Sequence, residues 1–293
     1  MMQIPVIYGL PIQILRSGLA LTFLLLLLFS DMHSLIRSTS DQLDPLECNG
    51  IDGYTVYCII SQTNIIYIKL LGILSSLWVL SGVLIRLGFI FFWWNVFSFW
   101  HIGSLTDGGD QVLLSISTLC LVASLFDNRI NSWRDLKYNG ALSSLIGWTS
   151  FLAIKIQMSV IYLNSGLEKL KLETWRDGSE VYYALNSPIF GGTGIRLSII
   201  NFFMDIPLVL LIMTWGTIVL EIFIGVTILL KVGHKKLAIF FVLVLHGFIA
   251  VFMGIPIFSF VMIVCAWFSL LPSRALSFSS FSEIKNQLFR KPS

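Results

Sequence analysis

Residues 206–230 read IPLVLLIMTWGTIVLEIFIGVTILL, a run in which Glu221 is the one ionisable side chain. A helix rises about 1.5 Å per residue, and a bilayer's hydrocarbon core is about 30 Å thick, so about 20 apolar residues cross it. The run therefore predicts a transmembrane helix with a turn to spare. Seven more runs of the same character lie near 12–30, 65–85, 87–105, 111–126, 141–165, 237–253 and 255–271. Together they predict an all-α fold: a polytopic transmembrane helical bundle of about eight spans, with six spans plus re-entrant segments as the alternative. The domain expected from this pattern covers 1–272, followed by a short cytoplasmic tail at 273–293.

Composition agrees. Of 293 residues, 56% are hydrophobic and 12% charged, against about 25% charged in soluble domains. That leaves too little polar surface for a water-soluble globule. The net charge is only +3 and no stripe of Lys and Arg runs along any segment, which argues against nucleic acid as a partner. The run after Arg16 is not followed by a small-x-small cleavage pattern, since Ser30, Asp31 and Met32 come next. It reads as a retained first helix rather than a signal peptide.

Lysine and arginine collect on the cytoplasmic side of membrane proteins. Arg86, then Arg129, Arg134 and Lys137, then Lys231, Lys235 and Lys236, and finally Arg274, Lys285, Arg290 and Lys291 occupy alternate connections. Both termini are therefore expected in the cytoplasm. The 31–64 loop, with one Arg against five acidic residues, then faces outward. Cys48 and Cys58 lie in that loop, where a disulfide can persist. Cys120 and Cys265 sit inside apolar runs and read as packing residues. No CxxC, HExxH or phosphate-loop spacing occurs, so no metal is called for; Gly191, Gly192 and Gly194 do not make such a loop.

Ionisable residues inside spans cost several kcal/mol and usually have a partner or a task. Lys155, Glu221 and His246 qualify. With each helix started at its membrane edge, Glu221 and His246 fall roughly 13 Å above the cytoplasmic side, and Lys155 roughly 21 Å. A Glu221–His246 hydrogen bond joined by Lys155 is the network this depth predicts, serving as a polar pocket, a proton path or interhelical glue. Arg16 and Lys69 lie near span ends and are expected to snorkel to the interface. His101, amid Phe91, Phe92, Trp93, Trp94, Phe97, Phe99 and Trp100, reads as part of an interfacial belt. Lys155, Tyr162 and Lys169 recur every seven residues and share a helix face. Lys169 then emerges at the outer interface near Trp175, placed to act as an anchor or as a base.

The segment Tyr162-Leu-Asn-Ser-Gly-Leu-Glu-Lys169-Leu with Trp175-Arg-Asp-Gly178 resembles the Y-x-x-x-G-x-x-K-L…W-x-x-G signature of the HTTM family, the membrane domain shared with vitamin K-dependent gamma-carboxylase. Asp107-Gly-Gly-Asp110 with Asp127, Asn128 and Arg129, then Glu221, and His246 ahead of Gly254 and Phe258, are similar to further family segments. Short length, first-loop cysteines and the Gly-Gly-Asp turn look most like its SdpB-like branch. The resemblance implies a membrane protein that assists maturation of a secreted antimicrobial peptide of the sporulation-delaying type. Its partners would be the bilayer, a secreted precursor peptide and a co-expressed maturation protein. It implies Lys169 as catalytic base with Tyr162 and Trp175 shaping the site, and a membrane quinol as the cofactor of an alternative, carboxylase- or epoxidase-like activity. A non-enzymatic transporter component or immunity protein is the remaining alternative.

Overall fold

The structure is a computed structural model that describes residues 8–30, 48, 50–60, 65–103, 108–134, 140–187, 195–230 and 233–272. The expected tail at 273–293, with its basic residues, lies outside these, as do Asp107, Lys137, Lys231 and the Gly191–Gly194 stretch. Among the described residues there is no strand; an isolated bridge joins Val83 and Asn131. The protein is an all-α helical membrane bundle.

All eight apolar runs form helices. They are α1 (Leu10–Phe29), α3 (Ile65–Ser81), α4 (Ile85–Ile102), α5 (Gly108–Leu125), α6 (Ala141–Lys169), α10 (Pro207–Leu229), α11 (Lys235–Phe248) and α12 (Pro256–Leu270). Helix α11 runs on into a π-helical turn at Ile249–Met253. Proline near the start of α1 and at the first position of α10 lacks only a donor that no helix end could use. Among the described residues, five helices are long and apolar enough to cross a membrane: Leu10–Phe29, Gly108–Leu125, Ala141–Lys169, Pro207–Leu229 and Lys235–Met253. Ile66–Ser81 and Pro256–Leu270 are apolar but shorter. In α4 the apolar run is diluted by Arg86, Asn95, Ser98 and His101. Between the long helices lie α2 (Val56–Ile60), α7 (Glu173–Arg176), α8 (Glu180–Leu185) and α9 (Ile195–Met204). The 166–205 stretch, read from sequence as a loop, is thus largely helical where described.

Two compact units divide the chain, one covering 1–154 with 271–293 and the other 155–270. In the first, α1 is the enclosed helix, with Phe23 meeting Phe92 and Phe99 edge-to-face. The segment Asp127–Arg134 covers its polar end. Leu84 N–H donates to Ile130 O, Ser132 N–H to Gly82 O, and Gln13 Nε2 to Val79 O, while Ser132 Oγ donates to Gln13 Oε1. In the second unit Val181, Leu185, Ile200 and Met204 form a core, joined by Leu210, Met213, Phe248, Phe252 and Met253.

Candidate functional site

The second unit holds its charges where α6 meets α10. Ser159, Tyr162, Gly166 and Lys169 recur at three- and four-residue spacing on one face of α6. Thr214, Ile218, Glu221, Gly225 and Ile228 do the same on the buried face of α10. Small residues let the two backbones approach. A Cβ on Gly225 would lie 2.8 Å from Leu163 Cγ, and one on Gly166 2.9 Å from Ile222 Cγ1. Ser159 Oγ donates to Gly225 O at 2.7 Å. Close packing of small residues with interhelical hydrogen bonds is how helices associate in lipid.

That register brings Lys169 onto Glu221. Lys169 Nζ lies 2.9 Å from Glu221 Oε1 and 2.7 Å from Oε2, and donates to Ser165 Oγ at 2.6 Å. Ser165 Oγ in turn donates to Glu221 Oε1 at 3.1 Å. Nζ also stands 5.1 Å from the centre of the Trp175 ring, within cation–π range. Trp175 is set by the turn that follows α7. Gly178 there has φ +87°, and a Cβ on it would fall 2.5 Å from Leu211 Cδ1. Its carbonyl accepts from Thr214 Oγ1 at 2.8 Å. The tight turn thus follows the short helix that carries Trp175 and packs on α10.

Further along the same face, Tyr162 Oη and His246 Nε2 are 2.8 Å apart, both side chains buried. His246 Nδ1 is buried with no hydrogen-bond partner. The π-helical turn begins three residues later, a feature frequent at functional sites.

Several sequence expectations are redistributed by this geometry. Glu221 pairs with Lys169 and Ser165, whereas His246 pairs with Tyr162; the expected Glu221–His246 bond is not the arrangement found. Lys155 lies beside Lys235 rather than in either cluster. The physical reason is register. The depth argument started every helix at one membrane edge, but Ser159 sits against Gly225, so Lys155 falls near the end of α10 and Lys169, about 21 Å further along α6, reaches Glu221. Ser165, which no spacing singled out, bridges the pair.

The first unit holds a second buried ionic cluster. Arg16, expected to snorkel, is instead wholly enclosed, and its Nη1 donates to Asp127 Oδ2 at 2.7 Å. Arg129 grips the same carboxylate through Nε to Oδ1 at 2.9 Å and Nη2 to Oδ2 at 2.7 Å. Burial pushes the Asp127 carboxyl up, but the Arg129 hydrogen bonds and the Arg16 and Arg129 charges outweigh it and hold its pKa at about 2. Sequence reading found Asp127 and Arg129 but not the partner 111 residues away. Cys48 and Cys58 are joined in a disulfide. The adjoining turn docks on α4 through Asp52 Oδ1 to His101 Nδ1 at 2.9 Å and Trp94 Nε1 to Tyr54 O at 2.7 Å, so His101 has a specific partner as well as aromatic neighbours.

An apolar cavity of about 220 Å³ lies in the second unit between Leu185, Met204, Met213, Phe248 and Phe252. Its walls offer no polar surface. Among the described residues no group of three or more His, Cys, Asp or Glu is placed to hold a metal.

The chain is 28% identical over 235 residues to sporulation-delaying protein SdpB of Bacillus subtilis strain 168, covering 79% of this chain and 72% of SdpB. It is 26% identical over 273 residues to the uncharacterized protein YitO of the same organism, covering 87% of this chain and 82% of YitO. No family profile matches the chain, and no solved structure does.

Proposed function

We propose that this multi-pass membrane protein assists the maturation of a secreted peptide toxin of the sporulation-delaying type, with Lys169, Glu221 and Ser165 as its working centre. The likeness to SdpB over most of both chains supports the process. The observation that carries the centre is the ammonium of Lys169 held on both oxygens of a carboxylate, beneath an indole ring and partly open to its surroundings.

Such a pair can exchange one proton. In a medium of low dielectric the ion pair loses much of its advantage over the neutral acid and amine. Passage of the proton to Glu221 leaves Lys169 as a neutral amine, able to take a proton from a bound substrate. Ser165 keeps contact with both groups throughout, and Trp175 favours the charged form that results. The resemblance to the HTTM signature supports the same assignment of Lys169 as base. Tyr162 and His246 shape the inner wall. The outward placement of Lys169 and the cytoplasmic placement of both termini belong to this reading and rest on the distribution of basic residues.

The test is genetic and chemical together. Secreted peptides of the host are compared by mass spectrometry with the gene intact, deleted, and restored as wild type or as Lys169→Met. A peptide lost on deletion, regained with wild type and not with Lys169→Met, is the expected outcome. An unchanged set of secreted peptides on deletion removes the proposal.

A further inference from the structure

In the second unit the short helices α8 and α9 pack against α10, and α8 also against the π-helical turn, but the fit is incomplete. On α9, Arg196, Ile200 and Met204 recur every four residues and share a face. At one end of that face, Arg196 Nη1 donates to Val251 O in the π-helical turn at 3.3 Å. Further along it, Ile200 and Met204 are buried, as is Leu185 of α8. Between this layer, Val209 and Met213 of α10, and the rings of Phe248 and Phe252 lies the apolar cavity of about 220 Å³. The two rings are 4.6 Å apart and make one wall.

The lining narrows the occupant. A water needs two to four polar partners, and an apolar cavity of about 150 Å³ stays dry yet admits benzene. This cavity is larger and has no polar wall, so it takes an apolar group of more than benzene size. Left empty, its walls forfeit their dispersion contacts. What borders the opening narrows the occupant further. One side of the cavity is open. Leu208, Ile212, Trp215 and Val219 are exposed and lie on one face of α10 at four-, three- and four-residue spacing. Helix α10 is long and apolar enough to cross a membrane, so this stripe meets lipid chains. Val209 and Met213, two wall residues, each follow a member of the stripe in sequence, and Phe203, another wall residue, is itself exposed. The cavity therefore continues the lipid-facing surface of α10.

We propose that it binds the hydrocarbon chain of a membrane lipid, which enters beside α10 and lies beneath α8 and α9 against Phe248 and Phe252. The headgroup takes no part in recognition inside the cavity, because nothing polar lines it. The chain completes the packing that the short helices leave open and holds them on α10 and the π-helical turn. The site does not depend on the role given to Lys169.

The full chain is placed in nanodiscs of phosphatidylcholine that carries a diazirine on one acyl chain. After irradiation, the labelled residues are mapped by mass spectrometry of the digested protein. In wild type, label is expected on Leu185, Ile200 or Met204, which are otherwise buried, as well as on the lipid-facing Ile212. Val209→Trp puts an indole into the cavity from its α10 wall. It is expected to cut the label on Leu185, Ile200 and Met204 at least fivefold and to leave that on Ile212 unchanged. Wild type decides by itself if the variant fails to accumulate. Absence of label from all three buried residues in wild type overturns the proposal, and so does full label on them in Val209→Trp. A second copy of the chain or a peptide seated in the cavity would give the first of these results.

Discussion

Two carboxylates meet cations inside this membrane protein, and they are built to opposite ends. Asp127 and Arg16 have side chains at 0% exposure, and Asp127 is clamped by two guanidiniums. Lys169 and Glu221 have side chains 18% and 11% exposed, and their cation is a single ammonium. The first cluster ties α1 to the segment after α5. The second joins α6 to α10 with a hydroxyl, a phenol, an imidazole and an indole nearby. Burial alone does not mark a working site. The partly open pair with these neighbours is the one to which proton transfer is proposed.

The sharpest way to break this contrast is Lys169→Met. Removing a group that transfers a proton typically costs 10²–10⁴-fold in rate, so output of mature peptide should fall by about that factor. Stability should also fall, because Glu221 is left buried alone. The double variant Lys169→Met with Glu221→Gln removes both charges and should recover the stability without the output. Equal recovery of both would reduce the pair to interhelical glue. If Glu221→Gln alone proved more damaging than Lys169→Met, a transport path through Glu221 would be favoured over a base at Lys169.

Next in size is Asp127→Ala, which leaves Arg16 and Arg129 facing each other without their shared anion. Breaking a buried ion pair by removing one partner costs about 3–5 kcal/mol. The variant should fail to accumulate in membranes, measured by immunoblot and by elution as a single species in detergent. Normal accumulation would mean the cluster carries little of the fold.

What the sequence made legible follows from the range of each signal. Apolar runs are local, and every one of the eight became a helix because lipid leaves a helix few rivals. Lys169, Tyr162 and Trp175 stood out through spacing within about 14 residues; Lys169 lies by Trp175 and Glu221, and Tyr162 by His246. Glu221 was singled out for its cost in an apolar run, yet its partner was misread. Pairing depends on the sliding register of α6 against α10, fixed by Ser159, Gly166 and Gly225, and the spacing within each run does not say which residue stands opposite which. Arg16 was misread for a similar reason. A lone arginine near a helix start is ordinarily an interfacial residue, and only the folded chain brings Asp127 to it.

The Asp127 cluster also makes an acid prediction. Its folded pKa of about 2 lies below the ordinary value of 3.8, so the unfolded chain binds the proton first as pH falls. The stabilisation is therefore whole above about pH 4 and is lost as pH drops toward 2, with a total of roughly 2 kcal/mol. Unfolding of the detergent-solubilised protein should be insensitive to this group from pH 7 to 5 and weaken below 4. Asp127→Asn should remove that part of the acid response. An identical acid profile in both would show that other carboxylates govern it.

The smallest expected effect decides what Tyr162 and His246 are for. Tyr162→Phe keeps the ring volume and removes the hydroxyl that meets His246 Nε2, so no cavity opens and the cost is that of one buried hydrogen bond, on the order of 1 kcal/mol. His246 then has neither ring nitrogen partnered, because its Nδ1 already lacks a bond. Adding His246→Leu removes the stranded imidazole and should return most of the lost stability. If the two residues only hold α6 to α11, peptide output returns with it. If they line the space in which Lys169 meets its substrate, stability returns and output stays low, and the wall of the site extends one helical turn or more inward from the charged pair.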